Sequence, residues 1–239
     1  MATPRVLVGT SGFSYPAWRG TFYPEKLPAA KMLAFYAEHF ASVEINNTFY
    51  RMPTPTLLAG WRSQVPNTFR FALKAPQQIT HQLRLRDAGE PTARFCELAA
   101  TLADQQGPLL FQLPPHLRAD LPRLEAFLGT LPAGSESAFE FRHESWFADE
   151  TYAILSQHRA ALCIADAEGL TTPVVPTAPF GYLRLRKEDY TPAELDTWAA
   201  HITGATPAAT RWKRTYVYFK HDDAGRAAAL AQGLLDRLG

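Results

Sequence analysis

Ala138-Phe139-Glu140-Phe141-Arg142-His143-Glu144-Ser145-Trp146-Phe147 decides the fold of this 239-residue chain. Its side chains alternate. Phe139 and Phe141 share one face of an extended segment, Glu140 and Arg142 the other, which is the two-residue period of a β-strand. A polar turn follows, and then a helix: Ser145 is placed as an N-cap, with Asp149 and Glu150 in the first turn, where acids favour the positive end of the helix dipole. A carboxylate, a guanidinium and an imidazole (Glu140, Arg142, His143) thus gather at the carboxyl end of one strand.

The pattern recurs on both sides of that stretch. Residues 5–9 and 109–113 read as short apolar strands, and 161–166 as an apolar strand ending in an acid. In 42–46, Val43 and Ile45 oppose Glu44 and Asn46. In 69–74, Phe69, Phe71 and Leu73 oppose Arg70, Ala72 and Lys74. Leu183 and Leu185 oppose Tyr182, Arg184 and Arg186 in 180–186; Val217 and Phe219 oppose Tyr216, Tyr218 and Lys220 in 215–220. Helical runs lie between most of them. They are opened by Thr54-Pro55, by Asp87 with Glu90, by Asp120 with Pro122, and by the capping box Thr191-Pro192-Ala193-Glu194. The run after Asp87 is read to about Gln106, and a last helix covers 224–238. Only 167–179, with Pro173, Pro176 and Pro179, shows no helical run.

Eight strands joined by helices demand parallel pairing. Strands of an open doubly wound sheet are apolar on both faces; several here keep a polar face, which suits the interior of a closed ring. The expected fold is therefore α/β, a parallel TIM-like (β/α)8 barrel with an irregular unit after strand six, forming one domain over 1–239. In that ring Glu44, Asn46, Lys74, Gln112, Glu140, Arg142, Asp166, Arg184, Arg186 and Lys220 converge at the carboxyl-end mouth. The plain alternative is a partly open sheet whose polar face meets water. The ring-rich loop Phe13, Tyr15, Trp18, Phe22, Tyr23 either plugs a barrel end or walls a ligand.

Composition sets the outer limits. With 46% hydrophobic and 20% charged residues the chain has the make-up of a globular protein, and a net charge of +1 argues against a dedicated basic nucleic-acid binder. Cys96 and Cys163 lack disulfide or metal spacing and read as buried thiols. With no apolar run near the roughly 20 residues that span a bilayer, and no leader-like start, the cytoplasm is the expected location.

Several of these segments resemble the "domain of unknown function 72" family. They are Gly9-Thr10-Ser11-Gly12-Phe13-Ser14-Tyr15 with Trp18, Gly20, Phe22, Tyr23 and Pro24; Val43-Glu44-Ile45-Asn46 with Thr48-Phe49-Tyr50; and Lys74 with Thr80-His81. Phe111-Gln112-Leu113-Pro114-Pro115, Glu140-Phe141-Arg142-His143 with Ser145-Trp146, and Tyr216-Val217-Tyr218-Phe219 complete the set. The resemblance covers nearly the whole chain and implies a TIM-barrel-like fold but no activity. Phe219-Lys220-His221 and Arg186-Lys187 depart from the commoner pattern and add positive or titratable groups near the mouth.

Three functional readings follow. In the first, an enzyme binds a small phosphorylated or carboxylated substrate. Glu44, Glu140 and His143 carry acid–base chemistry; Asn46, Lys74, His81, Gln112, Arg142, Asp166, Arg184, Arg186, Tyr218, Lys220 and Trp18 bind the substrate. In the second, a divalent metal on His and carboxylate groups assists phosphodiester or nucleic-acid processing, with Arg84 and Arg86 nearby; no His-Glu-x-x-His run supports it, so no cofactor or metal ligand is assigned. In the third, the same mouth binds a metabolite without turning it over. No membrane partner is expected.

Overall fold

A computed structural model describes residues 5–205, 212–220 and 224–239. The sheet runs β1 (Arg5–Thr10), β2 (Ser42–Ile45), β3 (Arg70–Lys74), β4 (Gln106–Gln112), β5 (Ser137–Glu140), β6 (Ala161–Ala167), β7 (Leu170–Thr171), β8 (Phe180–Leu185) and β9 (Arg214–Phe219). Neighbours follow the order β1-β9-β8-β6-β5-β4-β3-β2, and all these pairs are parallel. The two-residue β7 lies outside this path and turns back antiparallel onto β6. That hairpin stands where the sequence shows no helical run, so eight parallel strands form the nearly closed barrel, with the irregular unit after the sixth.

The crossovers are α1 (Met32–His39), α2 (Asn47–Tyr50) with α3 (Pro55–Arg62), α4 (Gly89–Ala100), α5 (Leu121–Leu128), α6 (Asp149–Gln157) and α7 (Pro192–Thr203); α8 (Arg226–Leu238) follows β9. No helix among the described residues is long and apolar enough to cross a membrane. Three starts form as their residues dictate. Thr54 accepts from Leu57 N–H, Asp120 from Arg123 N–H, and Thr191 exchanges bonds with Glu194 in a full capping box. Two others differ. α6 begins at Asp149 without a side-chain cap, because Ala148 holds the cap position; Ser145 lies in the preceding short turn, where its Oγ accepts from Ala119 N–H. α4 has Ala88 at its cap while Asp87 is left-handed at φ 49°; the helix stops at Ala100, and Gln106 already belongs to β4.

Two layers of core result. Val43, Phe71, Leu73, Phe111, Phe139, Leu183 and Val217 point outward under the helices. Leu7, Ala72, Leu110, Ala138, Cys163, Tyr182, Tyr216 and Tyr218 fill the interior, so the barrel is packed rather than hollow. At the top of β5, Phe141 stacks on Trp146 with centroids 4.5 Å apart. Each such ring, fully buried, is worth about 1.5–3 kcal/mol. Both cysteines are buried and free.

The ring closes between β1 and β2. Ser11 bridges in parallel to Glu44, Ser11 N–H donates to Phe219 C=O, and Gly12 N–H to Glu44 C=O, each of these two bonds 2.8 Å. Lower down, α1 supplies the stitch: Tyr36 OH accepts from Thr10 N–H at 2.8 Å and donates to Ser42 C=O at 3.1 Å.

Candidate active site at the carboxyl-end mouth

Strand parity builds the site. Glu44 on β2, Glu140 on β5 and Arg184 on β8 all point inward, and all three are buried. Arg184 lies between the two acids. Its Nε and Nη2 donate to Glu44 Oε1 at 3.2 and 2.8 Å, and its Nη1 donates to Glu140 Oε2. Burying a guanidinium alone is costly, and a carboxylate on each side offsets that penalty.

Further donors reach both carboxylates from around the ring. Ser11 Oγ and Tyr182 OH each donate to Glu44 at 2.7 Å, and Asn46 Nδ2 at 3.3 Å. Arg142 Nε and Arg186 Nη1 donate to Glu140 Oε1 at 2.9 and 3.3 Å. Burial pushes both carboxyls up, but the cations outweigh it. Arg184 holds Glu44 below its usual range, and Arg184 with Arg142 and Arg186 holds Glu140 at about 2. Both are ionised, and each of their four oxygens accepts at least one hydrogen bond. Burial keeps Tyr182 protonated, hence a donor.

Above this layer the cations outnumber the acids. Lys74, at the end of β3, has no carboxylate within ion-pair distance among the described residues. Its Nζ sits 4.0 Å from the centre of the Phe49 ring, an attraction between ammonium and π-face. Burial, reinforced by Arg184, pulls its ammonium down to about 8. His81, on a wide helical turn over Gln78–Gln82, packs edge-on to the same Phe49 ring with centroids 5.0 Å apart, and its Nδ1 is 2.9 Å from Thr80 Oγ1. Burial, then the nearby Lys74, lowers its pKa. Gln112 at the end of β4 is buried, and Lys220 at the end of β9 is half-buried.

Several expected residues stand elsewhere. Asp166 pairs with Leu185, not with the inward Arg184, so it faces outward, where Trp198 Nε1, Thr171 Oγ1 and Lys187 Nζ each contact it at 3.3 Å. His143 Nδ1 accepts from Ser145 N–H at 3.1 Å and caps its own turn. Trp18 is fully buried against Tyr15, Phe22 and Tyr23, and Phe22 and Tyr23 pack on Phe35 of α1, so Trp18 offers no face to a ligand. Tyr218 is interior, its hydroxyl 2.7 Å from Ser42 Oγ. His221 lies outside the described residues.

Ser11, Tyr182 and Phe49 were not among the expected site residues. Strand alternation announces the first two, since Ser11 continues the inward series of β1 and Tyr182 precedes Arg184 by two. Nothing local announces Phe49. Among the described residues no three His, Cys, Asp or Glu side chains gather as a metal site would require.

Comparison with known proteins agrees with this architecture. Residues 7–239 match the model of a family described as "Protein of unknown function DUF72". UPF0759 protein YecE of Escherichia coli (strain K12) is 33% identical over 144 residues, 60% of this chain and 50% of that one. UPF0759 protein YunF of Bacillus subtilis (strain 168) is 29% identical over 144 residues, 55% of this chain and 50% of that one. The chain thus spans about half the length of these relatives in the matched region. A crystal structure of a DUF72 family protein from Thermotoga maritima MSB8 superposes with a TM-score of 0.82 at 28% identity, covering 98% of this chain and 99% of that one. One from Enterococcus faecalis V583 gives 0.78 at 19% identity over 98% and 95%, a likeness of fold alone.

Proposed function

Because the chain belongs to the DUF72 family, whose name carries no activity, we propose a function from its own geometry: the barrel mouth binds a small phosphorylated or carboxylated substrate and performs proton-transfer chemistry on it. The observation that carries this reading is the pair of cations left over once the buried acids are neutralised. Arg142 engages Glu140 through Nε, and its two Nη groups make no hydrogen bond among the described residues. Lys74 stands without a carboxylate partner there. A planar fork and a point charge, both partly exposed beside Arg186, suit an anion with two or three oxygens.

Acid–base work passes in this reading from Glu44, Glu140 and His143 to Lys74 and His81. A carboxylate that is buried, paired with cations and held near 2 is too weak a base to take a proton from a ligand. Lys74, poised at about 8 and charged at pH 7, is suited to donate a proton, and His81, whose pKa burial lowers, to accept one. Glu44 and Glu140 act by positioning: they fix Arg184, Arg142 and Arg186. Binding without turnover is the competing reading, favoured by the pairing of both acids with cations.

Calorimetric titration of the whole chain with phosphate, pyrophosphate, sugar phosphates, nucleotides and carboxylates tests the proposal. At least one anion is expected to bind, and Arg142→Ala to weaken it by about tenfold or more, the equivalent of one charge-assisted hydrogen bond. No anion bound at millimolar concentration, or an unaffected Arg142→Ala, overturns it. A bound anion recovered unchanged under every condition tried leaves the binding-only reading.

A further inference from the structure

Two adjoining hollows open beside α2, next to the cationic mouth. The smaller, about 260 Å³, is walled by Phe13, Tyr15 and Asn46; the larger, about 400 Å³, by Met52 and Pro53. They share Asn47, Leu57 and Trp61. Tyr50 and Leu57, the two large apolar side chains most exposed among the described residues, at 75% and 44%, belong to the same α2–α3 segment. Together the hollows have the size and the mostly apolar walls, with a few amide groups, of a small-ligand pocket.

One short element ties these hollows to the anion site. Asn46 donates to Glu44 and also lines the smaller hollow. Asn47 opens α2 and lines both hollows, while Phe49 of the same helix lies under the Lys74 ammonium. Asn46 thus stands at the border between the smaller hollow and the Glu44–Arg184 pair. Gly12 shapes the near wall. It sits at φ +93°, and a Cβ there would come 2.3 Å from Tyr15 OH, which is folded back to donate to Ser11 C=O at 2.6 Å.

Resting on the anion-binding reading above, we propose that these hollows hold a planar apolar portion of the same substrate, so that the ligand class is an aromatic or heteroaromatic phosphate or carboxylate. The half-buried rings of Phe13 and Tyr15 suit packing on a planar group, and the Asn46 and Asn47 amides offer donors and acceptors to a ring edge.

The test compares inorganic phosphate, glycerol phosphate, phenyl phosphate and a nucleoside monophosphate on the whole chain by calorimetry. The ring-bearing ligands are expected to bind about tenfold or more tighter than the other two, from burial of one ring. Leu57→Asn, a neutral change at an exposed position, should remove that advantage and leave inorganic phosphate affinity unchanged. Leu57→Ala should move it the same way by a smaller factor, in case the first variant folds poorly. Equal affinities for all four ligands, or an advantage untouched by both variants, overturn this inference while the mouth still binds phosphate. Loss of a dimer in Leu57→Asn, with no change in ligand preference, would assign the face to a second copy of the chain and overturn it too. Failure of every anion to bind removes the underlying reading as well.

Discussion

Arg184 and Glu44 meet through two hydrogen bonds, 3.2 and 2.8 Å, across the barrel interior from strands separated by β1 and β9, where both side chains are buried. Glu140 accepts from the far end of the same guanidinium. Three buried charges thus form one unit, and removing the middle member leaves the others poorly compensated. Arg184→Met should destabilise the fold by about 3–5 kcal/mol. Arg184→Lys should do little better, since one ammonium cannot present a fork to two separate carboxylates. Glu44→Gln should be milder, because Arg184 keeps Glu140. Denaturant unfolding of the three variants checks the order, and an Arg184→Met protein as stable as the parent refutes it.

Acid should act through the same unit. Glu140 is held at about 2 against an ordinary 4.5, the cations outweighing burial, and Glu44 is shifted the same way. A carboxyl whose folded pKa lies below its unfolded one contributes stability above the unfolded value and loses it as pH falls towards the folded value. The thermal midpoint should therefore fall between about pH 5 and pH 2, and Glu140→Gln should flatten that slope. A midpoint insensitive to pH across this window would show that the fold lowers the pKa of neither acid.

Lys74 predicts a second pH dependence, of opposite consequence. Its ammonium is pulled down to about 8, so lowering pH from about 9 to 7 charges it and adds an attractive partner for an anion. Anion affinity should rise as pH falls through that range, and Lys74→Met should abolish the rise while keeping part of the affinity through Arg142. Reductive methylation followed against pH gives an independent readout: Lys74 should react as an amine with a pKa near 8. Reactivity like that of an ordinary surface lysine would remove Lys74 as the proposed proton donor.

Alternation made much of this legible. Where a strand has one polar face, as in β2, β5 and β8, the sequence places Glu44, Glu140, Arg142, Arg184 and Arg186 inward, and they do meet. Where both faces are buried the signal vanishes. β6 reads as an unbroken apolar run, so the inward position is Ala165, and Asp166 turns out to serve α7 instead. Caps set by local bonds, at Thr54, Asp120 and Thr191, were readable for the same reason that Ser145 was not: its hydroxyl bonds a residue 26 positions away. The mouth's second layer, Phe49 with Lys74 and His81, is assembled through space by two turns, and no period in the sequence encodes such a meeting.

The seam between β1 and β2 gives the last prediction. The strands approach so closely that a Cβ on Gly9 would lie 2.0 Å from Ser42 C=O and 2.8 Å from Tyr36 OH. These are backbone atoms and a hydroxyl already fixed by its own bonds, so nothing yields cheaply. Gly9→Ala should wedge the ring open at the point that carries Ser11 and Glu44 into the site. Tyr36→Phe tests the stitch without the wedge: it leaves Thr10 N–H and Ser42 C=O buried without the hydroxyl that joined them, at about 1–3 kcal/mol. Hydrogen exchange should show the Thr10 amide losing protection in Tyr36→Phe, and the amides of β1 and β2 together in Gly9→Ala. Unchanged protection in both variants would mean that this edge of the barrel closes by some means other than the Tyr36 hydroxyl.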